Sequence, residues 1–304
     1  TTPTTMILII GYIIALAATL GGFIAAGGNP ATILPVNITG DHSVHAPYPE
    51  YIILLGVALG LMVIAAPVSL LKNTLGKIKL AFRTQVVPNS DYTDVLKLLY
   101  ELFTKARRGG LIAIEDDIMA PKDSPIMNKY PSFVNDHERL EFLTNSLKPI
   151  IDGRLKPEQL ASMLEADLDA KADDFAHPVH LLQLVGDSLP GIGIVAAVMG
   201  VINAMAAITE GAGAVGQKVA SALVGTFLGV LGAYAFINPL AARIKLNNIY
   251  ELQYYAVIMK AVIGFTGGMA PMMAVEVGRR MIDPAFQPTS DEIEEMCKGL
   301  GTGS

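Results

Sequence analysis

Few residues in this sequence have the means to do chemistry. Gly191-Ile-Gly193-Ile-Val-Ala196 has the spacing of a dinucleotide-binding loop, whose glycines let backbone amides approach a pyrophosphate. It lies inside an uncharged apolar run, with no strand before it and no acidic partner in place, so the match is accidental. His42-x-x-His45 beside Asp41 is a poor donor set for an external metal ion, and His177-x-x-His180 is a weaker one. No nucleophile–base pair, Walker loop or zinc spacing is present. The sequence therefore does not read as an enzyme, and it calls for no cofactor.

What remains is a short set of groups inside long apolar runs. Thr226 is the deepest hydroxyl of its run, and on composition alone such a residue back-bonds to its own helix. Pro190 and Pro239 each leave a carbonyl one turn earlier without its amide partner, which permits bending. Pro190 also suits a first helical turn and Pro239 a helix exit; spacing alone leaves both readings open. Gly56-x-x-x-Gly60 and Gly225-x-x-x-Gly229 allow close backbone approach, within one chain or between copies. Ionisable groups stay at the edges. Asp187 comes just before one apolar run and Glu210 just after it, positions that suit a cap or an interface.

The elements that must position these groups are membrane helices. Of 304 residues, 52% are hydrophobic and only 16% charged, where soluble proteins carry roughly 25% charge. Mean hydropathy is +0.46, and no Lys, Arg, Asp or Glu occurs between Thr1 and Thr39. This excludes an ordinary cytosolic enzyme and a disordered chain. A net charge of -6 is the wrong sign for nucleic acid. The lone Cys297 excludes an internal disulfide. Trp is absent, which leaves Tyr12, Tyr48, Tyr51 and Tyr234 for the interfacial belt. Four runs reach the length of about 20 apolar residues that a span needs: Met6–Ala26, Tyr51–Leu71, Leu189–Thr209 and Val219–Ala242. None of them contains Lys, Arg, Asp, Glu or His. The first is too long for a signal peptide and has no basic leader.

Cations set the orientation. Fifteen of the 22 Lys and Arg lie between Lys72 and Lys171 and six between Arg243 and Lys298; Lys218 is the remaining one, and loop 27–50 has none. By the positive-inside rule the N-terminus, residues 72–187 and residues 243–298 are cytoplasmic, whereas loop 27–50 and turn 210–218 face outward. The expected fold is all-α. It is a polytopic membrane protein with four transmembrane helices, at 1–26, 51–71, 188–209 and 219–242, and a helical cytoplasmic domain. In that domain Leu96, Leu99, Tyr100, Phe103 and Ala106 recur at helical spacing. So do Leu140, Leu143 and Leu147, and a further amphipathic helix carries Leu160, Met163, Leu164 and Leu168. Pro121, Pro125 and Pro131 mark a loop. Tyr250–Val262 reads as amphipathic, Ala261–Val275 as a packed cytosolic helix and Asp291–Glu295 as frayed. The terminal Gly299–Ser304 reads as an appended scar.

The stretch Leu184-Val-Gly-Asp-Ser-Leu-Pro-Gly-Ile-Gly-Ile-Val-Ala-Ala-Val-Met-Gly-Val-Ile202 resembles the MotA/PomA family of flagellar stator proteins. The resemblance continues through Ala222-Leu-Val-Gly-Thr-Phe-Leu-Gly229 and Tyr234-Ala-Phe-Ile-Asn-Pro239. It extends to Arg107-Arg-Gly-Gly-Leu-Ile-Ala-Ile-Glu115 and Gly268-Met-Ala-Pro-Met-Met-Ala-Val-Glu-Val-Gly-Arg-Arg280. It thus covers nearly the whole chain, although loop 27–50 is longer than the family leads one to expect. The resemblance implies a homopentamer in the bacterial inner membrane, around two copies of a MotB-like partner. That partner has one span, binds peptidoglycan and carries the membrane aspartate. This fits the separate observation that the apolar runs here hold no carboxylate.

By the same resemblance Thr226 faces that aspartate on the ion path, and Pro190 and Pro239 couple ion passage to movement. Arg107 and Glu115 match charged positions that engage the flagellar rotor C-ring protein; taken alone they would be a solvated helix face. Sodium-driven relatives carry an extra hydroxyl in span three, where this chain has Ala197 with apolar Ala196 beside it. The implied ion is H⁺, which needs fewer oxygen ligands than a hard cation. The implied function is the ion-channel subunit that turns ion-motive force into torque. The nearest rival, an ExbB/TolQ-type energiser, has three spans. A transporter would want midplane charges and internal repeats, and neither occurs. A membrane scaffold fits composition alone.

Overall fold

The computed structural model describes residues 3–25, 48–82 and 87–300. Asp41, His42, His45 and nearly all of the expected outer loop lie outside the described residues, as does the tail beyond Leu300. The helices are α1 (Pro3–Ala25), α2 (Tyr48–Ala65), α3 (Val68–Ala81), α4 (Asn89–Gly109), α5 (Glu115–Met119) and α6 (Pro131–Val134). They continue as α7 (His137–Ile151), α8 (Pro157–Ala206), α9 (Ala212–Leu231), α10 (Asn238–Thr266), α11 (Pro271–Arg279) and α12 (Ser290–Leu300). No strand occurs among the described residues, so the fold is all-α. The chain forms two compact units, residues 1–84 with 175–246 and residues 85–174 with 247–304.

In the first unit, proline chemistry shortens one expected element. The apolar run to Leu71 is not one helix. Pro67 has no N–H to donate backward and biases Ala66 away from helical backbone, so α2 stops at Ala65. Pro67 then opens α3, its carbonyl taking the Leu71 N–H at 3.1 Å. Elsewhere helices run on. The amphipathic stretch at Leu160–Leu168 and the third apolar run belong to a single helix of 50 residues, α8. The turn expected over 210–218 contracts to a 3-10 turn, Ile208–Glu210, and Gly211 at φ +103. Only glycine holds that backbone without strain. Lys218 consequently stands inside α9.

Leu54 of α2, Val185, Leu189 and Ile192 of α8, and Ala233 form one buried cluster. Ala81, Val179, Leu182, Ala241 and Ile244 form another. Each large apolar side chain so buried contributes about 1.5–3 kcal/mol. The outward faces of this unit are apolar as well: Ile64 is 85% exposed, Ile52 71% and Ile202 63%. Such a surface needs lipid or another protein against it. Among the described residues two helical stretches, Pro157–Ala206 and Ala212–Thr266, are long and apolar enough to cross a membrane; Tyr12–Gly21 and Pro49–Ala65 are shorter apolar stretches.

The second unit is organised by α4, whose Tyr92, Val95, Leu96, Leu99, Leu102, Phe103 and Ala106 form one buried face. Phe103 stacks on Phe265 at 4.3 Å, and Phe142 meets Tyr255 edge-on at 5.1 Å. Removing one such side chain, as in Leu99→Ala, costs about 2–5 kcal/mol. Two expectations change here. Ala261–Val275 is broken, because Gly268 at φ +96 turns the chain and Pro271 starts α11. The acidic stretch Asp291–Glu295 is not frayed: it belongs to α12, which buries Ile293 and Cys297, one turn apart. Burial pushes the Cys297 thiol up to about 11.

Candidate functional site

The site is built on a seam of small residues between α8 and α9. A Cβ at Gly193 would lie 2.8 Å from the Gly225 carbonyl oxygen, and one at Gly200 would lie 2.4 Å from the Ala222 Cβ. One at Gly229 would lie 2.5 Å from the Leu189 carbonyl oxygen. The backbones therefore touch where any side chain would hold them apart. The Gly225-x-x-x-Gly229 motif is spent inside the chain, whereas Gly56 and Gly60 have nothing within 4 Å.

That closeness places Thr226. Its Oγ1 donates to the Gly193 carbonyl oxygen at 3.2 Å, across the seam and not back along its own helix as composition alone suggests. The reason is Gly193 itself, whose missing side chain lets a foreign carbonyl come within reach. Having donated its proton, the hydroxyl still offers lone pairs as an acceptor. Ala197 lies half-buried one turn beyond Gly193, and Ala196 is buried, its Cβ 2.9 Å from where a Gly225 Cβ would stand. The Gly191–Ala196 stretch is helical throughout, so it cannot form a nucleotide-binding loop.

Both prolines sit in helix interiors. Pro190 lies deep in α8, and Pro239 directly follows a π turn, Gly232–Ile237, that joins α9 to α10. Pro190 is far from either end of α8, and Pro239 is the second residue of α10, which continues α9 through the π turn. By the i→i−4 rule Pro190 withholds an amide from Gly186, while at Pro239 the ladder has already shifted, the Asn238 N–H reaching back to the Ala233 carbonyl. The two weakened points meet. A Cβ at Gly186 would fall 2.1 Å from Asn238 Oδ1, and Asn238 Nδ2 reaches Asp187 Oδ1 at 3.5 Å. Tyr12 of α1 closes over the π turn: its hydroxyl donates to the Phe236 carbonyl at 3.2 Å and its ring stacks on Phe236 at 5.2 Å. Sequence reasoning gave Tyr12 only an interfacial place.

One acid escaped the sequence reading. Glu50 sits one residue outside the run Tyr51–Leu71, so the spans looked free of carboxylates. Because α2 starts at Tyr48, Glu50 is inside the helix and only 6% exposed. Its Oε1 accepts from Ser221 Oγ at 2.7 Å, and its Oε2 has no hydrogen-bond partner among the described residues. The available signal was Pro49-Glu50, a proline and an acid in the order that helix first turns favour.

Arg107 and Glu115 lie at the end of α4 and the start of α5, joined by Gly110 at φ +78 and the 3-10 turn Leu111–Ile114. Arg107 is exposed and Glu115 half-buried. A buried acid fixes this corner: Asp117, 1% exposed, binds Lys105 Nζ at 2.7 Å and accepts from Ser124 Oγ at 2.5 Å. Ser124 Oγ accepts in turn from the Met127 N–H at 3.1 Å. A cavity of about 510 Å³ lined by Thr104, Lys105, Arg108 and Lys129 opens beside it.

Comparison with known proteins matches two family descriptions. Motility protein A N-terminal covers residues 9–110, and the MotA/TolQ/ExbB proton channel family covers residues 135–256. Motility protein A of Salmonella typhimurium is 32% identical over 295 residues, which is 97% of this chain and 96% of the relative. Chemotaxis protein LafT of Vibrio parahaemolyticus is 29% identical over 94% of this chain and 96% of its own. Among solved structures, C. jejuni MotAB superimposes with a TM-score of 0.70 at 22% identity, covering 91% of this chain and 95% of that one. The flagellar MotAB stator complex from Bacillus subtilis gives 0.66 at 22% identity, covering 94% and 98%.

Proposed function

Because the chain belongs to the Motility protein A family, it is the proton-channel subunit of a flagellar stator, and we propose that it shares the ion path with a MotB-like partner. The partner's single spanning helix supplies the titrating aspartate. The observation that carries this reading is the Thr226–Gly193 contact: a hydroxyl and a carbonyl held within a glycine-packed seam between two long apolar helices. Oxygens so placed serve an ion, yet neither titrates, and the acid that carries the proton past them is the partner's aspartate. The match to Motility protein A N-terminal over residues 9–110 favours a stator over an ExbB/TolQ-type energiser.

In this reading all four apolar helices span the inner membrane, with both termini cytoplasmic by the cation count. α1 has 23 residues and α2 has 18, lengths of about 35 and 27 Å against a hydrocarbon core of about 30 Å. Five copies surround two partner helices. A proton from outside neutralises the partner's aspartate, which lowers the cost of exposing it to an apolar wall. Each charge crossing 100 mV supplies about 2.3 kcal/mol, several times thermal energy. Pro190, Pro239 and the π turn let the helices bend as the site passes. Arg107 and Glu115 meet the rotor C-ring protein through modest surface electrostatics, which suits a contact made and released in turn. Ala197 adds no oxygen for a metal cation, so the ion is H⁺.

Proton uptake by vesicles tests the division of labour. Vesicles holding the chain and its partner together take up protons, and those holding either alone do not. Conduction by this chain unaided, or rotation that depends strictly on sodium, overturns the reading. Counting subunits in images of the co-purified complex tests the pentamer.

A further inference from the structure

Glu50 has no part in the mechanism above. We infer that Glu50, hydrogen-bonded by Ser221 of α9, forms with it a proton-collecting site at the outer end of α2, which loads the path that Thr226 lines. The inference rests on the stator function and orientation proposed above.

A carboxylate buried with one oxygen satisfied and the other bare is costly unless a ligand completes it. Oε1 accepts from Ser221 at 2.7 Å, while Oε2 is buried without a donor among the described residues. An ionised carboxylate only accepts, so the completing ligand must bring a proton or a positive charge. The location makes that ligand the transported ion. A Cβ on Gly225 would stand 3.5 Å from Glu50 Cγ and 3.6 Å from the Gly193 carbonyl oxygen, the same oxygen that receives the Thr226 hydroxyl. The Glu50 side chain and the Gly193 carbonyl therefore lie on either side of one glycine, which follows Ser221 by one turn and immediately precedes Thr226. The helices about them are otherwise apolar.

Among the described residues no cation pairs with the acid. α8 presents Gly193 and Ala196 to this glycine, both uncharged. α9 carries Lys218, one turn before Ser221, and that lysine pairs with Glu210 at 3.9 Å. α2 adds Tyr51, the residue next in sequence. The step is a plain transfer: hydronium gives its proton to Oε2 and departs as water, and the resulting acid returns to carboxylate as its proton goes through water to the partner's aspartate. A fixed negative charge in a low-dielectric wall raises delivery of cations by about 10–10³-fold.

The test uses the stator complex, chain and partner together, in vesicles at fixed potential, with proton flux read by a pH-sensitive dye. The outer solution is taken from about pH 8 to about pH 6, a range over which hydronium supply changes about a hundredfold while ordinary carboxylates stay ionised. Glu50→Gln keeps the shape and removes the charge. Its flux should fall about tenfold in the alkaline solution and recover toward wild type as the solution is acidified. Glu50→Asp should restore most of the flux, and Ser221→Ala, which leaves the charge but releases the carboxylate, should lose less than Glu50→Gln and with the same dependence on pH. Equal flux for Glu50→Gln and wild type at every pH overturns the inference. So does a matching, pH-independent loss in Glu50→Gln and Ser221→Ala, which marks the pair as a tie between helices. Flux that follows sodium in place of protons overturns it too. A wild-type complex that passes no ion refutes the stator reading itself, whereas a silent Glu50→Gln beside a conducting wild type refutes only the role of Glu50.

Discussion

Replacing Gly229 by Ala asks whether the seam between α8 and α9 places the ion path. In an isolated helix the change is favourable by about 1 kcal/mol. Here the new Cβ would stand 2.5 Å from the Leu189 carbonyl oxygen and 3.1 Å from Gly193 Cα, where ordinary contact begins at 3.4 Å. The first contact must open by about 0.9 Å, the difference between 3.4 and 2.5 Å. Both atoms are helix backbone, so neither can swing aside and the helices themselves must part. Thr226, three residues earlier on α9, holds the Gly193 carbonyl at 3.2 Å. A separation of that size stretches the bond to roughly 4 Å, beyond hydrogen-bonding range. Overpacking costs about 1–3 kcal/mol, and the gain in helix propensity offsets about 1 kcal/mol of it. The net effect on Tm is therefore small, while proton flux and swimming speed should drop severely. Gly216→Ala, in the same helix with nothing within 4 Å, should swim normally. The assay pairs swimming speed with thermal unfolding of the purified complex. Full speed for Gly229→Ala would show that the backbone contact does not position Thr226.

Thr226→Val should cut flux sharply while lowering stability by only about 0.6 kcal/mol, the usual worth of one interhelical hydrogen bond in a membrane; Thr226→Ser should restore flux, and unaltered motility in the valine variant counts against the role. Arg107→Glu should weaken swimming through rotor engagement alone, with proton flux intact, and a reversed charge on the rotor protein should rescue it. No rescue in any pairing leaves Arg107 as surface decoration. Glu276 reports on acid stability. Hydrogen bonds from Arg279, at 2.6 and 2.8 Å, and from Arg280, at 3.0 Å, hold its carboxyl at about 2. Its unfolded value is about 4.3. A depressed native pKa stabilises fully above the unfolded value and fades as pH falls toward about 2, a contribution of about 2 kcal/mol after solvent screening. Glu276→Gln should flatten the unfolding curve over that acid range, and an unchanged slope would refute the linkage.

Helix periodicity and length gave most of the fold directly. The buried face of α4 was visible as Leu96, Leu99, Phe103 and Ala106, and the long apolar runs marked α1, α2, α8 and α9. Boundaries failed where one residue outweighed the surrounding hydropathy, as Pro67 did in ending α2 and Gly268 in splitting α10 from α11. Long helices such as α8 hid a different error, since a change from amphipathic to wholly apolar sequence looks like two elements although the backbone never breaks. Within the site, Thr226, Pro190 and Pro239 were legible by type. Their partners were not, because Gly193 and Tyr12 act through tertiary proximity, which no spacing along one helix encodes. Glu50 was lost to a window that began at the first apolar residue.

The arrangement separates holding from bending within a few residues. Leu189, whose carbonyl meets Gly229, is the residue immediately before Pro190. The tightest backbone contact of the seam thus adjoins one of the two prolines inside α8, Pro178 and Pro190, where the helix lacks a hydrogen bond. On the other helix of the pair, α9 is uninterrupted from Ala212 to Leu231, and its ladder changes only at the π turn that precedes Pro239. Oxygens on the Thr226 side of that contact are therefore fixed by glycine packing, and freedom to bend is confined to the Asn238 side. A helix pair uniformly loose would lose the geometry of its oxygens with every stroke, and one uniformly tight could not move. Glycine contacts and paired prolines in succession give both properties to the same two helices.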